Sequence, residues 1–359
     1  MKTTWARSAA AAAERKPIMA DYSDLSPINI VTGFLGSGKT TLLRRLLRSP
    51  KLSDVAVLVN EFGEIGLDHH LLRGVTESVL LLENGCVCCA VRGDLQQALR
   101  ELLSQRTRGA IPHFRRVVIE TSGLADPAPI AYTLLSDAVL RHHFRLSGIV
   151  TTIAASNGAT QLATFAEAVK QVSMADRVVV TKGDLSDAPT LAALTSQVRQ
   201  LNLAAQIVES ADVGDDFHGL LTDDIYDSEG KQREARRWMI EPHAAHGAHT
   251  HTTHVESFAA VFDRPLDWTA FGVWASMLLH RHGADILRLK GLLNIAGMPT
   301  PVLVNGVQHL MHPPSHLPEW PDADRRSRLI FIVRGLQRPR IERSLAIFNE
   351  IVNAPALTA

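Results

Sequence analysis

Gly33-Phe34-Leu35-Gly36-Ser37-Gly38-Lys39-Thr40 is the stretch that decides the fold. It fits G-x-x-x-x-G-K-[ST], the pattern of a loop that wraps the phosphates of a nucleoside triphosphate. Before it, Ile28-Asn29-Ile30-Val31-Thr32 is apolar and β-branched, as a strand covered on both faces should be. After it, Thr41, Leu42, Leu43, Leu46 and Leu47 recur at helical spacing. The order is therefore strand, glycine loop, helix. Gly33, Gly36 and Gly38 lack a Cβ, so backbone N–H groups can close on phosphate oxygens. The helix N-terminus adds a partial positive charge beneath the same anion. Lys39 is expected to reach the β- and γ-phosphates and Thr40 to offer its hydroxyl to Mg2+, with Ser37 and Thr41 completing the contact set. The bland alternative is a glycine-rich turn carrying a solvated lysine.

The 359 residues leave room for two domains, and 46% apolar with 21% charged residues is ordinary for a soluble globular chain. With 37 basic and 37 acidic residues the formal net charge is zero, which argues against a nucleic-acid surface. No apolar run approaches the ~20 residues needed to cross a bilayer. Residues 1–26 have no apolar signal core and read as a disordered tail, within which Met19 is an alternative start to Met1. The three cysteines, Cys86, Cys88 and Cys89, form one cluster rather than a disulfide framework, which points to a reducing, cytoplasmic setting.

Strand patterns at 28–32, 54–60, 77–83, 117–120, 146–153 and 176–181 alternate with helical patterns at 39–48, 92–104, 127–141, 161–174 and 188–200. That alternation predicts an α/β domain over 27–212 with a mostly parallel, doubly wound sheet, its ligands at the C-terminal ends of the strands. Residues 213–254 are polar, end in histidines and read as a linker. From 255 to 359 a smaller α+β domain is expected, with strands at 255–262, 285–296, 301–308 and 328–334 and helices around 268–279 and 338–352.

Three further motifs carry chemistry. Val117-Val118-Ile119-Glu120-Thr121-Ser122-Gly123 is an apolar strand ending in an acid. Glu120 there can hold a Mg2+-bound water or orient the attacking water, and Gly123 lets the backbone approach the γ-phosphate. Lys39, Thr40 and Glu120 are the candidate catalytic residues. Thr181-Lys182-Gly183-Asp184 resembles [NT]-K-x-D. The Asp184 carboxylate matches the N1–H and 2-amino donors of guanine, whereas adenine would leave it desolvated and unpaired. Lys182 would pack its stem over the base. Thr181 stands where Asn is commoner, which puts one loop-bridging contact in question.

Asn84-Gly85-Cys86-Val87-Cys88-Cys89 offers soft thiolates suited to Zn2+ and other late transition metals. Three cysteines so close do not easily fill one tetrahedron, so two thiolates plus an outside ligand is the better arrangement. Glu61, in Asn60-Glu61-Phe62-Gly63-Glu64, is the first candidate for it, with His69 and His70 behind. A small apolar cluster or a redox switch are the other readings of the cysteines. His243, His246, His249, His251 and His254 crowd the expected linker, either as a loose metal collector or as solvated residues. His249, His251 and His254 enter the candidate ligand set.

With these motifs the chain resembles the CobW/YjiA-type P-loop GTPases, nearer the YjiA branch. The resemblance is carried by Thr32 to Leu43, Asn60 to Glu64, Asn84 to Cys89 and Glu120 to Pro127. It continues through Leu287-Arg288-Leu289-Lys290-Gly291, Asn305-Gly306-Val307-Gln308 and the strand from Arg328 to Val333, from about residue 28 to the C-terminus. It implies a GTP-hydrolysing metallochaperone or metal-insertion protein using Mg2+, with Zn2+ the commonest cargo and Co2+ or Ni2+ as alternatives. The family's internal metal site falls on Cys86, Cys88, Cys89 and Glu61. One departure is Ile153-Ala154-Ala155, where the family usually carries an acid.

The expectation is slow GTP hydrolysis that gates the metal site, since no arginine finger is visible. A client metalloprotein would receive the metal, and that client or a homodimer would supply the missing groups. The rival is a zinc or cobalt buffer or sensor in which nucleotide only stabilises the fold. A small-molecule kinase is a third reading, opposed by Asp184.

Overall fold

The computed structural model describes residues 24–49, 52, 54–59, 79–83, 92–211, 219–222, 226, 228–239 and 255–353. Among the described residues seven strands make the first sheet: β1 Ser26–Gly33, β2 Val55–Val59, β3 Val79–Glu83, β4 Arg116–Glu120, β5 Phe144–Ala154, β6 Arg177–Thr181 and β7 Gln206–Glu209. They lie in the order β3-β2-β4-β1-β5-β6-β7, and every pair is parallel. Continuous apolar runs such as Val117-Val118-Ile119 and Val178-Val179-Val180 are buried, as they must be when helices cover both faces. One cluster, with Ile30, Ile119 and Ile149, fills one face, and another, with Val31, Leu43, Leu46 and Val118, fills the other.

The second sheet is antiparallel. Its strands are β8 Val255–Phe262, β9 Ile286–Leu293, β10 Val302–Val307, β11 Leu310–Met311, β12 Ser315–His316 and β13 Ser327–Arg334. They run β11-β10-β9-β13-β8, with β12 also on β10. Helices Trp268–His282 and Arg338–Asn353 pack on it through Phe271, Trp274, Ile341 and Leu345. This is the P-loop α/β domain plus the smaller α+β domain that the sequence implies.

Local details differ from expectation for identifiable reasons. The helix expected at 127–141 ends as Ala128–Ser136 because the Asp137 carboxylate accepts from the Val139 and Leu140 backbone N–H groups at 2.9 and 2.8 Å. The helix expected at 161–174 is two, Gly158–Thr164 and Ala166–Met174. Phe165 between them is extended and stacks on Phe34, with ring centroids 4.6 Å apart. Within the stretch read as linker, Ser228–Met239 is an α-helix.

That helix is fixed by charge. Glu234, buried, accepts from Arg177 Nη2 at 3.2 Å and lies 3.7 Å from Lys290 Nζ. Asp176, at the foot of β6, takes Arg288 at 2.5 Å and Lys290 at 2.8 Å from β9 of the second sheet. Burial pushes the Asp176 carboxyl up, but Arg288 and Lys290 outweigh it and hold it far below the usual carboxylate range. His312 lies in the same place. Burial, helped by the Arg288 guanidinium, holds its imidazole down to about 3.

His312 is therefore neutral in the fold, whereas the unfolded chain takes up a proton near pH ~6.5. Between about 6.5 and about 3 the unfolded state binds more protons, so stability falls as pH falls through that window. The slope from this one group reaches about 1.4 kcal/mol per pH unit. Urea denaturation between pH 6.5 and 5 should show the decline, and His312→Leu should flatten it.

Candidate functional site

The strand register gathers the motifs at one end of the first sheet. Val31 pairs with Glu120, Gly33 with Thr152, and Ala154 with Thr181. Val59, at the end of β2, pairs with Glu120 on one side and Glu83, at the end of β3, on the other. Glycine loop, acid strand and Thr-Lys-x-Asp segment thus share an edge, at the C-terminal ends of parallel strands where ligands of such sheets bind.

Glycine is required in the loop. Gly33 has φ +143°, and a Cβ there would sit 2.4 Å from the Thr152 carbonyl oxygen. Gly36 and Gly38 are left-handed, at +71° and +90°. The Ser37 and Thr152 hydroxyls share a hydrogen bond at 2.7 Å, and Gln161 Nε2 donates to the Leu35 carbonyl at 3.3 Å. Thr181 Oγ1 donates to the Ser37 carbonyl at 2.7 Å. The loop-bridging contact in question at this position is made by a hydroxyl instead of an amide.

Helix α1, Lys39–Leu47, starts at Gly38 with no side-chain cap and no acid in its first turn. Its first N–H groups and positive dipole end are left for an anion. Lys39 Nζ donates to the Gly33 and Phe34 carbonyls at 3.0 and 3.2 Å, which holds the ammonium over the loop. Thr40 Oγ1 donates to Glu120 Oε1 at 2.6 Å, and Glu120 is buried. A hydroxyl and a carboxylate in this apposition are hard oxygen donors that suit Mg2+. Thr41 is exposed on the first turn.

Gly123 also has a spatial reason. A Cβ there would lie 2.8 Å from the Leu35 backbone nitrogen, so this backbone packs directly on the loop. Gln171 Nε2 braces it from below, donating to the Gly123 carbonyl at 3.2 Å and the Ala125 carbonyl at 2.9 Å. Lys182 is in the left-handed region at φ 56°, uncommon for a residue with a side chain. That turn leads into the short 3-10 helix Gly183–Leu185 and leaves Lys182 and Asp184 exposed at the same edge. Ala154 and Ala155 are buried, and Ala155 N donates to the Thr181 carbonyl at 2.8 Å.

Thr152, Gln161 and Gln171 were not singled out by sequence. The available signal for the first was Thr151-Thr152, a hydroxyl pair inside an otherwise apolar buried strand. Glu61, His69, His70, Cys86, Cys88, Cys89, His243, His246, His249, His251 and His254 lie outside the described residues. Among the described residues there is no group of three or more His, Cys, Asp or Glu able to hold a metal ion. Nor, among them, is any helix long and apolar enough to cross a membrane.

Comparison with known proteins extends this geometry. Residues 27–209 match the CobW/HypB/UreG nucleotide-binding domain, and residues 255–348 match the cobalamin synthesis protein cobW C-terminal domain. The chain is 34% identical over 315 residues to the zinc chaperone YjiA of Escherichia coli, covering 88% of this chain and 95% of that protein. It is 31% identical over 309 residues to the zinc-regulated GTPase metalloprotein activator 1 of Schizosaccharomyces pombe, covering 76% and 72%. The crystal structure of Zn(II)-bound YjiA GTPase from E. coli superposes with a TM-score of 0.66 at 27% identity, covering 90% of this chain and 99% of that one.

Proposed function

The chain belongs to the CobW/HypB/UreG family of nucleotide-binding P-loop proteins, and from that premise we propose that this GTPase binds a transition metal, zinc first, and couples its affinity to the GTP or GDP state. The observation that carries the reading is the strand register. Val59, which precedes Asn60-Glu61, lies between Glu83, which precedes Asn84-Gly85-Cys86, and Glu120, which is bonded to Thr40. Val59 and Glu83, the described residues that precede those segments, therefore end one and two strands away from the Thr40–Glu120 pair. Relatives named for zinc support the choice of metal.

Each residue then has a role. The uncapped start of α1 and the glycine loop receive the phosphates. Lys39 exchanges the Gly33 and Phe34 carbonyls for β- and γ-phosphate oxygens. Thr40 and Glu120 would hold Mg2+, which neutralises phosphate charge during the reaction. Asp184 accepts from the guanine edge, Lys182 covers the base, and Thr181 ties that segment to Ser37. Glu120 and Gly123 lie on one continuous segment, so contact with the γ-phosphate moves the strand end that neighbours β2, which in turn pairs with β3. Cys86, Cys88, Cys89 and Glu61 hold the metal as cargo for a client metalloprotein, and His249, His251 and His254 collect it. Isolated turnover is slow, and a client or a second copy supplies the missing charge.

Replacing Cys86, Cys88 and Cys89 together with Ser tests the assignment. Competition against a chromophoric zinc chelator should show tight zinc binding lost, while GTP affinity by calorimetry without zinc stays within about threefold of the metal-free wild type (~0.7 kcal/mol). Retained tight zinc binding would move the metal elsewhere.

A further inference from the structure

A groove of about 530 Å3 runs between the two sheets, remote from the glycine loop in the chain and lined by neither the phosphate loop nor the Thr-Lys-x-Asp segment. Residues 203–207, leading into β7, form one bank, and Ala259 and Val261 of β8 with Ile330 of β13 form the other. Each of β7 and β8 is the last strand of its sheet. An outer strand leaves backbone N–H and C=O groups unpaired on its open side, a template for an extended segment.

The lining is chemically one-sided. Arg199, Arg326, Arg328 and Arg338 line the groove together with Gln206 and apolar residues, and among the described residues no Asp or Glu does. Outside it, Asp324 binds Arg326 and Arg328, and Glu342 accepts from Arg338 at 2.7 Å. Arg199 is exposed and has no ion-pair or hydrogen-bond partner among the described residues. Trp238 also lines the groove. It is 3% exposed and offers the groove part of its ring.

We propose that this groove docks an extended, acidic peptide segment of a partner protein. Its apolar side chains would lie on Leu203, Ile207 and Val261, and its carboxylates would meet the guanidiniums. Arginine forks take carboxylates in pairs, so such a segment gains register as well as affinity. The area lies away from the nucleotide motifs, so docking there and GTP binding use different residues.

The test uses the full chain and a fluorescein-labelled twelve-residue peptide of alternating Glu and Val, read by anisotropy at low salt. The alternating Lys and Val peptide and a twelve-nucleotide oligouridylate serve as competitors of other chemistry. The acidic peptide should bind and the basic one should not. The double variant Arg199→Glu, Arg338→Glu, both positions exposed, should weaken binding at least tenfold while GTP affinity is unchanged. Failure of the acidic peptide to bind, equal binding of the basic peptide, displacement by the oligonucleotide at comparable concentration, or indifference to the double variant would each overturn the proposal.

Discussion

Lys39→Ala is expected to lower kcat/KM for GTP by about 10²–10³-fold, the loss typical of removing one preorganised charge-stabilising donor. The ammonium is already held over the loop by the Gly33 and Phe34 carbonyls. Little reorganisation is needed for it to meet phosphate oxygens, and no other lysine belongs to the loop. The loop itself is braced by the Ser37–Thr152 and Thr181–Ser37 hydrogen bonds, which the substitution leaves alone. The variant should therefore fold as the wild type does. Phosphate release under steady state reads the effect, and circular dichroism checks the fold. With the lysine in its proposed place at the β- and γ-phosphates, GTP affinity should fall more than GDP affinity. A variant within threefold of wild type would remove Lys39 from the phosphate site.

Asp176→Asn is expected to cost about 3–5 kcal/mol of stability, the range for taking one partner from a buried ion pair. The carboxylate is a shared counter-ion. It holds Arg288 and Lys290 from the second domain and also accepts from the Ile149 backbone N–H at 2.9 Å, so it ties β5, β6 and β9 together. An amide of the same shape keeps the volume, leaves Arg288 without its anion and leaves Lys290 only the Glu234 carboxylate at 3.7 Å, each cation at most 2% exposed. The Asp176 contribution has the opposite origin from that of His312 but the same sign with pH. Its folded-state value is depressed, so the stabilisation is present above the ordinary carboxylate value of ~3.9 and is lost as pH falls below it. Urea midpoints at pH 7 should show the large loss. A change below about 1 kcal/mol would mean that the two cations find other partners.

The glycine loop, the acid at the end of β4 and the Thr-Lys-x-Asp segment were legible because each is a short local pattern whose chemistry depends on backbone shape and residue type. Register then brought them together, as parallel α/β topology requires. What sequence missed depends on contacts across long separations. The helix Ser228–Met239 reads as polar linker because its anchors are Ala235, Trp238 and the Glu234 carboxylate, and that carboxylate's partner, Arg177, is 57 residues away. β7 is four half-buried residues at a sheet edge, too short for a periodic signal. Gln161 and Gln171 look like ordinary helix-surface glutamines, yet one holds the loop and the other holds Gly123. Thr181 shows the reverse. The sequence raised doubt about it, and the hydroxyl performs the bridging contact.

The coupling of nucleotide and metal is tested most directly by calorimetric Zn2+ titration of the full chain saturated with GDP, and again with a non-hydrolysable GTP analogue. Coupling free energies between linked sites are typically about 1–3 kcal/mol, so the two zinc dissociation constants should differ by about 5- to 150-fold. By linkage the ratio of GTP to GDP affinity must change by the same factor when zinc is bound. Equal zinc affinities in the two states would contradict the account.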